Sequence, residues 1–133
     1  MIFIIVCTIV VLNQLYVAAN NEKNALTNAD RLNYLKRAGY TVLCDTPTTK
    51  IVTIPEIFSR LYNDYNSLQL SVGHDLSLYK GCVVTIYSYI VKSPNGYKGE
   101  ACANMIVYNN RVIGGDVSSL VYDEYTMPLI AHK

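Results

Sequence analysis

The stretch from residue 82 to residue 118 constrains the fold most, because its pattern is typical of an antiparallel meander. Three strands are predicted there, at about residues 82–92, 100–109 and 111–118. Asn109 and Asn110 supply the positive-φ residues that a two-residue hairpin turn requires, so the last two strands pair about them. Gly114 and Gly115 interrupt the third strand and predict a bulge or a close approach of another backbone.

Two helices are predicted ahead of the meander. The first covers about residues 28–38 and begins with an approximate capping box between Thr27 and Asp30. Pro55 suits the first turn of a second helix, which Gly73 ends. One face of this second helix is predicted to pack against the sheet, and it comprises Ile57, Phe58, Leu61, Tyr62, Tyr65, Leu68 and Val72.

Shorter elements complete the predicted fold. Residues 40–44 and 50–54 are rich in β-branched side chains and predict two strands. The tail, residues 120–133, is expected to add an edge strand or to pack over the sheet. The whole is predicted to be an α+β fold, with an antiparallel sheet of four to five strands and two helices packed on one face.

The start of the chain is its most apolar part. Residues 1–12 are interrupted only by Thr8, and a run of about 11 apolar residues fits the core of a signal peptide better than a spanning helix. We expect residues 1–20 to be a signal peptide or a retained membrane anchor, residues 21–27 a linker and residues 28–133 a single domain. No Lys or Arg precedes the run. The alternative is a buried N-terminal strand or helix of the domain itself.

Composition excludes two classes of protein. Hydrophobic residues make up 51% of the chain and charged residues 16%, so the bulk of the chain is expected to fold rather than to stay disordered. Eleven basic residues balance ten acidic ones to a net charge of +1, without a basic block. No nucleic-acid partner is therefore predicted, and a membrane is expected to be contacted only through the N-terminal segment.

Three cysteines lie beyond the N-terminal run, namely Cys44, Cys82 and Cys102. Their spacing contains no CxxC pair, which argues against a structural zinc site and against a disulfide framework. We expect three buried thiols, with one bridge at most. No metal site and no cofactor is predicted, because the two histidines of the chain cannot form an HExxH motif or a histidine cluster.

The chain offers one candidate set of residues for acid–base chemistry. His74 is followed by Asp75 between the second helix and a predicted single turn, and Asp116 follows the paired glycines. A histidine titrates near neutrality and a carboxylate at a bulge can face a cavity, so a small extracytoplasmic hydrolase built on these three residues is one hypothesis. The alternative is a purely structural role, in which Asp75 caps a helix and Asp116 belongs to a β-bulge.

Twelve tyrosines and no tryptophan are the most unusual feature of the composition. Tyrosine gives a large contact area with a polar tip, which recognition surfaces use. Tyr87 and Tyr89 are predicted to share a strand face, and Tyr97 lies in a loop. The candidate binding residues are therefore Tyr87, Tyr89, Tyr97, His74 and Asp116. The alternative is that the tyrosines fill the boundary between core and solvent.

Several short motifs follow one another across the domain. They are residues 35–40 (LKRAGY), 54–56 (IPE) with 62–66 (YNDYN) and 68–69 (LQ), 73–77 (GHDLS) with 79–81 (YKG), and 113–117 (IGGDV). In order and spacing this set resembles a family of exported proteins of Gram-positive bacteria, domain of unknown function 4830. The resemblance spans about residues 30–130 and implies export from a Gram-positive cell. It implies no activity, since the family has no assigned chemistry.

The residues and the resemblance lead to two hypotheses of different classes. The first is an exported, non-catalytic module that binds another envelope protein, a peptide or a cell-wall component through an exposed sheet face or edge. The second is the hydrolase that uses His74, Asp75 and Asp116. The leader lacks both a basic start and a lipid-attachment cysteine, so the mode of anchoring stays open.

Overall fold

The computed structural model describes residues 1–121 and 125–130, with the backbone alone for residues 18–22. Three α-helices are described: α1 (Ile2–Glu22), α2 (Asn28–Arg37) and α3 (Arg60–Leu70). A 3₁₀ helix follows α3 at Leu76–Tyr79. Five strands form one sheet: β1 (Thr48–Thr53), β2 (Val83–Lys92), β3 (Glu100–Tyr108), β4 (Arg111–Ser119) and β5 (Thr126–Pro128).

The sheet is an antiparallel meander whose strand order follows the sequence from β1 to β5. Asn109 and Asn110 adopt φ values of 49° and 60°, which confirms the predicted two-residue turn between β3 and β4. Tyr108 pairs with Arg111 across this turn. The predicted α+β class with a five-stranded antiparallel sheet is confirmed.

The two helices of the domain lie on opposite faces of the sheet, which corrects the prediction of a single covered face. The first buried cluster joins Tyr34 and Leu35 of α2 to Tyr89, Val91, Ala103, Met105 and Val117. The second joins Leu76 of the 3₁₀ helix and the half-buried Tyr62 and Tyr65 of α3 to Val84, Ile106 and Ile113. Because successive strand residues point to opposite faces, β2 and β3 present apolar side chains on both, and one layer of helices cannot cover both.

Helix α3 begins later than predicted. Pro55 lies outside the helix, because Ile54 donates its N–H to the Cys82 carbonyl and accepts from Gly81, which holds this segment beside β2. The helix starts at Arg60, where the Ser59 side chain accepts a hydrogen bond from the Tyr62 N–H.

The face of α3 that meets the sheet agrees with the prediction only in part, since Tyr62 and Tyr65 do pack against it. Leu61 is 80% exposed, whereas Asn66 and Gln69 are buried. Gln69 donates from Nε2 to the Gly115 carbonyl and accepts from the Gly115 N–H at Oε1, both at 2.9 Å. This pair of hydrogen bonds aligns α3 by a polar side chain, so the apolar side chains of Leu61 and Leu68 point outwards.

Helix α2 agrees with its prediction at the N-terminus. Thr27 and Asp30 form the complete capping box, and Gly39 follows the helix with φ 92°. The strand predicted at residues 40–44 is wrong in length, since only one isolated bridge, Val42 to Val91, forms there. The turn between this bridge and β1 contains Cys44, which is exposed, so the prediction that Cys44 is buried is also wrong.

Part of the predicted linker belongs to the sheet. Asn24 forms a bridge with Arg111, Val112 donates its N–H to the Lys23 carbonyl, and Ala25 donates to the Asn110 carbonyl. Ala25 is almost fully buried. The outer side of β4 is therefore covered twice, by residues 23–25 at its start and by β5 near its end.

Helix α1 stands apart from these layers. The side chains of residues 2–17 are exposed along the whole segment. Within the described ranges, no helix reaches the length and apolarity that a membrane crossing would need.

Candidate functional site

His74 lies at the wall of a cavity of about 390 Å³ between the 3₁₀ helix, the residues that precede it, and the start of β4. The cavity is lined by Lys23, Gly73, His74, Asp75, Leu78, Tyr79, Tyr108, Asn109, Arg111, Val112 and Ile113. His74 is only 4% exposed, and its Nε2 atom is buried without a hydrogen-bond partner. Burial, and secondarily the positive charge of Lys23, lower the pKa of His74 below its usual 6.5. The imidazole is therefore neutral near neutral pH.

The lowered pKa of His74 predicts an acid-sensitive stability. The unfolded chain takes up a proton on this residue at higher pH than the folded protein, so the contribution is complete above pH 6.5 and is lost as pH falls through the folded pKa. We expect the urea-unfolding free energy to decline from about pH 6.5 downwards, and His74→Gln to remove that part of the decline. An unchanged pH profile in His74→Gln would contradict this assignment.

The other charged groups at the cavity are Lys23, Asp75 and Arg111. Hydrogen bonds from Ser77 and Asn66 lower the pKa of Asp75 below 3.8, so its own loss of stability falls in a more acidic window. The two windows can therefore be separated in one pH series.

Asp75 is a capping residue in the structure. Its Oδ1 atom accepts from the Ser77 N–H at 2.9 Å, from the Ser77 hydroxyl at 2.6 Å and from Asn66 Nδ2 at 3.0 Å. The N–H of Leu76 donates to the Asn66 side chain at 2.7 Å. These contacts fix the start of the 3₁₀ helix and confirm the predicted cap.

Asp116 lies outside this cavity, in a polar network on the face that α3 covers in part. It accepts from the Tyr65 hydroxyl at 2.8 Å, from Asn104 Nδ2 at 2.9 Å and from the Ser118 hydroxyl at 3.0 Å. Ser88 extends the network by donating to Asn104 Oδ1 at 2.6 Å. Burial, followed by the charge of Asp116, raises the pKa of Tyr65, so this phenol is a firm hydrogen-bond donor.

The three residues of the hydrolase hypothesis are thus divided between two places. His74 and Asp75 line one cavity, whereas Asp116 lies three positions beyond Ile113 along β4. Asp116 is not among the residues that line the cavity of His74 and Asp75. The contacts of Asp116 described above are structural ones that join α3, β3 and β4.

The tyrosines do not form the surface that the sequence suggests. Tyr89 is fully buried; its hydroxyl donates to Asn28 Oδ1 at 2.7 Å and accepts from Arg31 Nε at 3.0 Å. Tyr87 shares its face, as predicted, and the Arg31 guanidinium lies 3.7 Å above its ring centre. Tyr97 is exposed and packs at a tilt against Tyr125, with ring centres 4.1 Å apart. Tyr89 is therefore part of the core and cannot contact a ligand.

An open sheet edge is a further candidate for recognition. β1 pairs with β2 over six residues without a register shift, and no strand lies beyond it in the described sheet. Ile54 points its N–H group towards β2. Backbone polar groups of successive strand residues point alternately to the two sides of the strand, so those of Thr49, Ile51 and Thr53 point away from β2. The opposite edge is shorter, because β5 has three residues and ends in Pro128.

Sequence reasoning missed the basic side of the cavity. Lys23 falls in the predicted linker and Arg111 at a hairpin turn, and nothing in their spacing places them beside His74. The glycine pair was the usable signal for a close approach, since Gly115 does meet a side chain from α3.

Comparisons with protein-family models, with curated proteins and with solved structures find no match to this chain. The resemblance to domain of unknown function 4830 therefore stays a prediction.

Proposed function

We propose that this chain is an exported, non-catalytic binding domain that takes up an extended peptide segment of a cell-envelope protein along the outer side of β1. The proposal rests on a difference between the two sides of the sheet: one side is open and the other is covered. β1 is a regular six-residue edge, whereas the outer side of β4 is covered by residues 23–25 and β5. Proteins usually blunt an edge of this kind, because its unpaired backbone groups bind other strands.

The chemistry of the edge specifies the partner. Three outward-facing N–H and C=O pairs, on Thr49, Ile51 and Thr53, match the backbone of an extended peptide. Ile51 is 71% exposed and would pack on an apolar side chain of the added strand. Lys50 lies on the other face and favours an acidic residue opposite it. An edge lysine also disfavours pairing between two copies of β1, which would bring like charges together.

Export rests on the N-terminal segment. The apolar side chains of residues 2–17 have no cover from the described domain, so they require an apolar environment of another kind. Passage through the export machinery, followed by cleavage or by anchoring in the membrane, supplies that environment. Recovery of the native protein from the cytosol with residues 1–20 intact would overturn this half of the proposal.

The binding half is tested with the full chain in a non-ionic detergent and a short synthetic peptide in which valine and threonine alternate around a central glutamate. Amide exchange is followed by NMR. Peptide at saturation is expected to slow the exchange of the Thr49, Ile51 and Thr53 amides by at least about tenfold, which is about 1.4 kcal/mol for each amide. Amides in the middle of β3 should be unchanged, because they already pair on both sides.

Two matched controls separate backbone pairing from unspecific adsorption. N-methylation of the peptide on the side that faces β1 should abolish protection, and methylation on the other side should preserve it. Lys50→Glu should weaken the binding of the glutamate peptide and strengthen the binding of a peptide with lysine at the same position. Equal binding by both methylated peptides would overturn the proposal. A hydrolytic site on His74, Asp75 and Asp116 would need all three residues in one cavity, and Asp116 does not line the cavity of the other two.

A further inference from the structure

We propose that the cavity around His74 is a binding site for the phosphate group of a small phosphoester. This site is separate from the β1 edge, and the inference does not depend on the peptide-binding proposal. Three features of the cavity support it, namely its charge, its buried unpartnered nitrogen and its aromatic wall.

Two basic side chains line the cavity from backbone positions that the sheet fixes. The Lys23 carbonyl accepts from the Val112 N–H at 2.9 Å, and the neighbouring Asn24 bridges to Arg111. Lys23 and Arg111 are therefore held on adjacent stretches of backbone and line one cavity. An arginine paired with a lysine is a typical environment for a phosphate group, since the guanidinium can donate two parallel hydrogen bonds.

One carboxylate shares this cavity and has to be weighed against the two cations. Asp75 has three donors on its Oδ1 atom, from Ser77 and Asn66, which spread its negative charge into the cap of the 3₁₀ helix. The charged groups of the lining are two cations and one anion. The balance favours an anionic ligand.

His74 supplies the second, independent feature. It is more than nine-tenths buried at the cavity wall, and its Nε2 atom has no partner. Buried side-chain nitrogens nearly always have a hydrogen-bond partner, so an unpartnered nitrogen at a cavity wall is available to a polar group that enters the cavity. A ligand hydroxyl or phosphate oxygen that reaches this ring, after a small rotation of the imidazole, would satisfy it.

The remaining wall specifies what carries the phosphate. Tyr79 and Tyr108 pack edge to face with ring centres 5.5 Å apart, and Leu78 is largely exposed beside them. A volume of about 390 Å³ exceeds what a single phosphate fills and lies within the range of small-molecule sites. The ligand is therefore a phosphoester whose organic part is apolar or planar, and it rests against these rings.

Such a phosphate can belong to a soluble molecule or to a lipid headgroup, because α1 ends directly before Lys23. The test uses the full chain in a non-ionic detergent and measures dissociation constants by calorimetry for phenyl phosphate, inorganic phosphate and benzoate. A parallel arm measures binding to vesicles with and without phosphatidic acid. Phenyl phosphate is expected to bind at least about tenfold more tightly than inorganic phosphate or benzoate, a difference of about 1.4 kcal/mol.

Variants identify the site. Lys23→Gln and Arg111→Gln are each expected to weaken the binding of phenyl phosphate about tenfold. Lys98→Gln makes the same charge change in a loop outside the cavity and should have no effect. If the vesicles with phosphatidic acid are preferred and Arg111→Gln removes that preference, the phosphate belongs to a lipid. If the variants weaken only the binding of phenyl phosphate, the phosphate belongs to a soluble ester. Binding that neither cavity variant changes, in both arms, would overturn the inference.

Discussion

Replacing Gly115 by alanine is expected to cost roughly 4 kcal/mol or more of unfolding free energy, a large part of the stability of a domain of this size. The residue has φ 154°, which side chains rarely adopt, and a Cβ atom there would run into the carbonyl oxygen of Asn104 on β3. A backbone atom of a paired strand cannot move aside without breaking the ladder. The measurement is the midpoint and slope of urea unfolding of Gly115→Ala against the unmodified chain.

Two further glycine substitutions separate the causes. Gly96→Ala carries a similar positive-φ penalty, at φ 94°, but its Cβ would meet open space, so we expect a loss of only about 1–2 kcal/mol. Gly114→Ala has no positive φ and would meet the side-chain ends of Gln69 and Leu76, which can shift in part. The expected order of damage is Gly115, then Gly114 or Gly96. If Gly115→Ala unfolds no more easily than Gly96→Ala, the close approach to Asn104 is not what selects glycine.

Replacing Gln69 by leucine is expected to cost about 2–4 kcal/mol, although the side chain is fully buried and leucine is the more hydrophobic residue. The amide both donates to and accepts from Gly115, and no leucine atom can do either. The Gly115 carbonyl keeps a donor from Leu129, but its N–H is left unpaired in the interior. Urea unfolding of Gln69→Leu measures the loss, with Asn63→Leu on the exposed side of α3 as the control.

A charged replacement at the same position is expected to make the loss of stability depend on pH. Gln69→Glu can still accept from the Gly115 N–H, but at neutral pH its second oxygen faces the Gly115 carbonyl and repels it. Protonation restores a donor, so the deficit relative to the unmodified chain should shrink as the pH is lowered. A deficit that stays constant with pH, or the absence of any deficit in Gln69→Leu, would show that this amide does not align α3.

The meander and the α2 cap were predictable because their signals are local. Asn109 and Asn110 determine the turn through their own φ preferences, and Thr27 with Asp30 determines the start of α2 through contacts three residues apart. Such signals do not depend on the rest of the fold. The long apolar run on the predicted second helix was a weaker guide, since hydrophobic spacing says which residues share a face but not which face is covered.

The errors come from contacts between distant parts of the chain. The alignment of α3 depends on Gln69 and Gly115, which are 46 residues apart in sequence. The burial of Tyr89 depends on Arg31, 58 residues away, whose guanidinium lies over the ring of the neighbouring Tyr87. A polar side chain that serves as an internal connector reads, in sequence, like any surface residue.

The candidate site was predictable only in part for the same reason. His74 and Asp75 were recognised from their residue types and from the cap, and they do lie together at a cavity. Lys23 and Arg111 reach this cavity because a segment that looked like a linker forms a bridge to β4. No periodicity or motif marks such a bridge, which adds only a few backbone hydrogen bonds.

The pairing of residues 23–25 with β4 also fixes the place where the N-terminal segment joins the sheet. This place lies beside β4, four strand spacings of about 4.8 Å, or about 19 Å, from the outer side of β1. A load pulling on the N-terminal helix would thus reach the far margin of the sheet first, by shear along β4, while β1 stayed unloaded. A peptide strand paired with β1 would therefore lie at the opposite side of the sheet from the point where such a load enters.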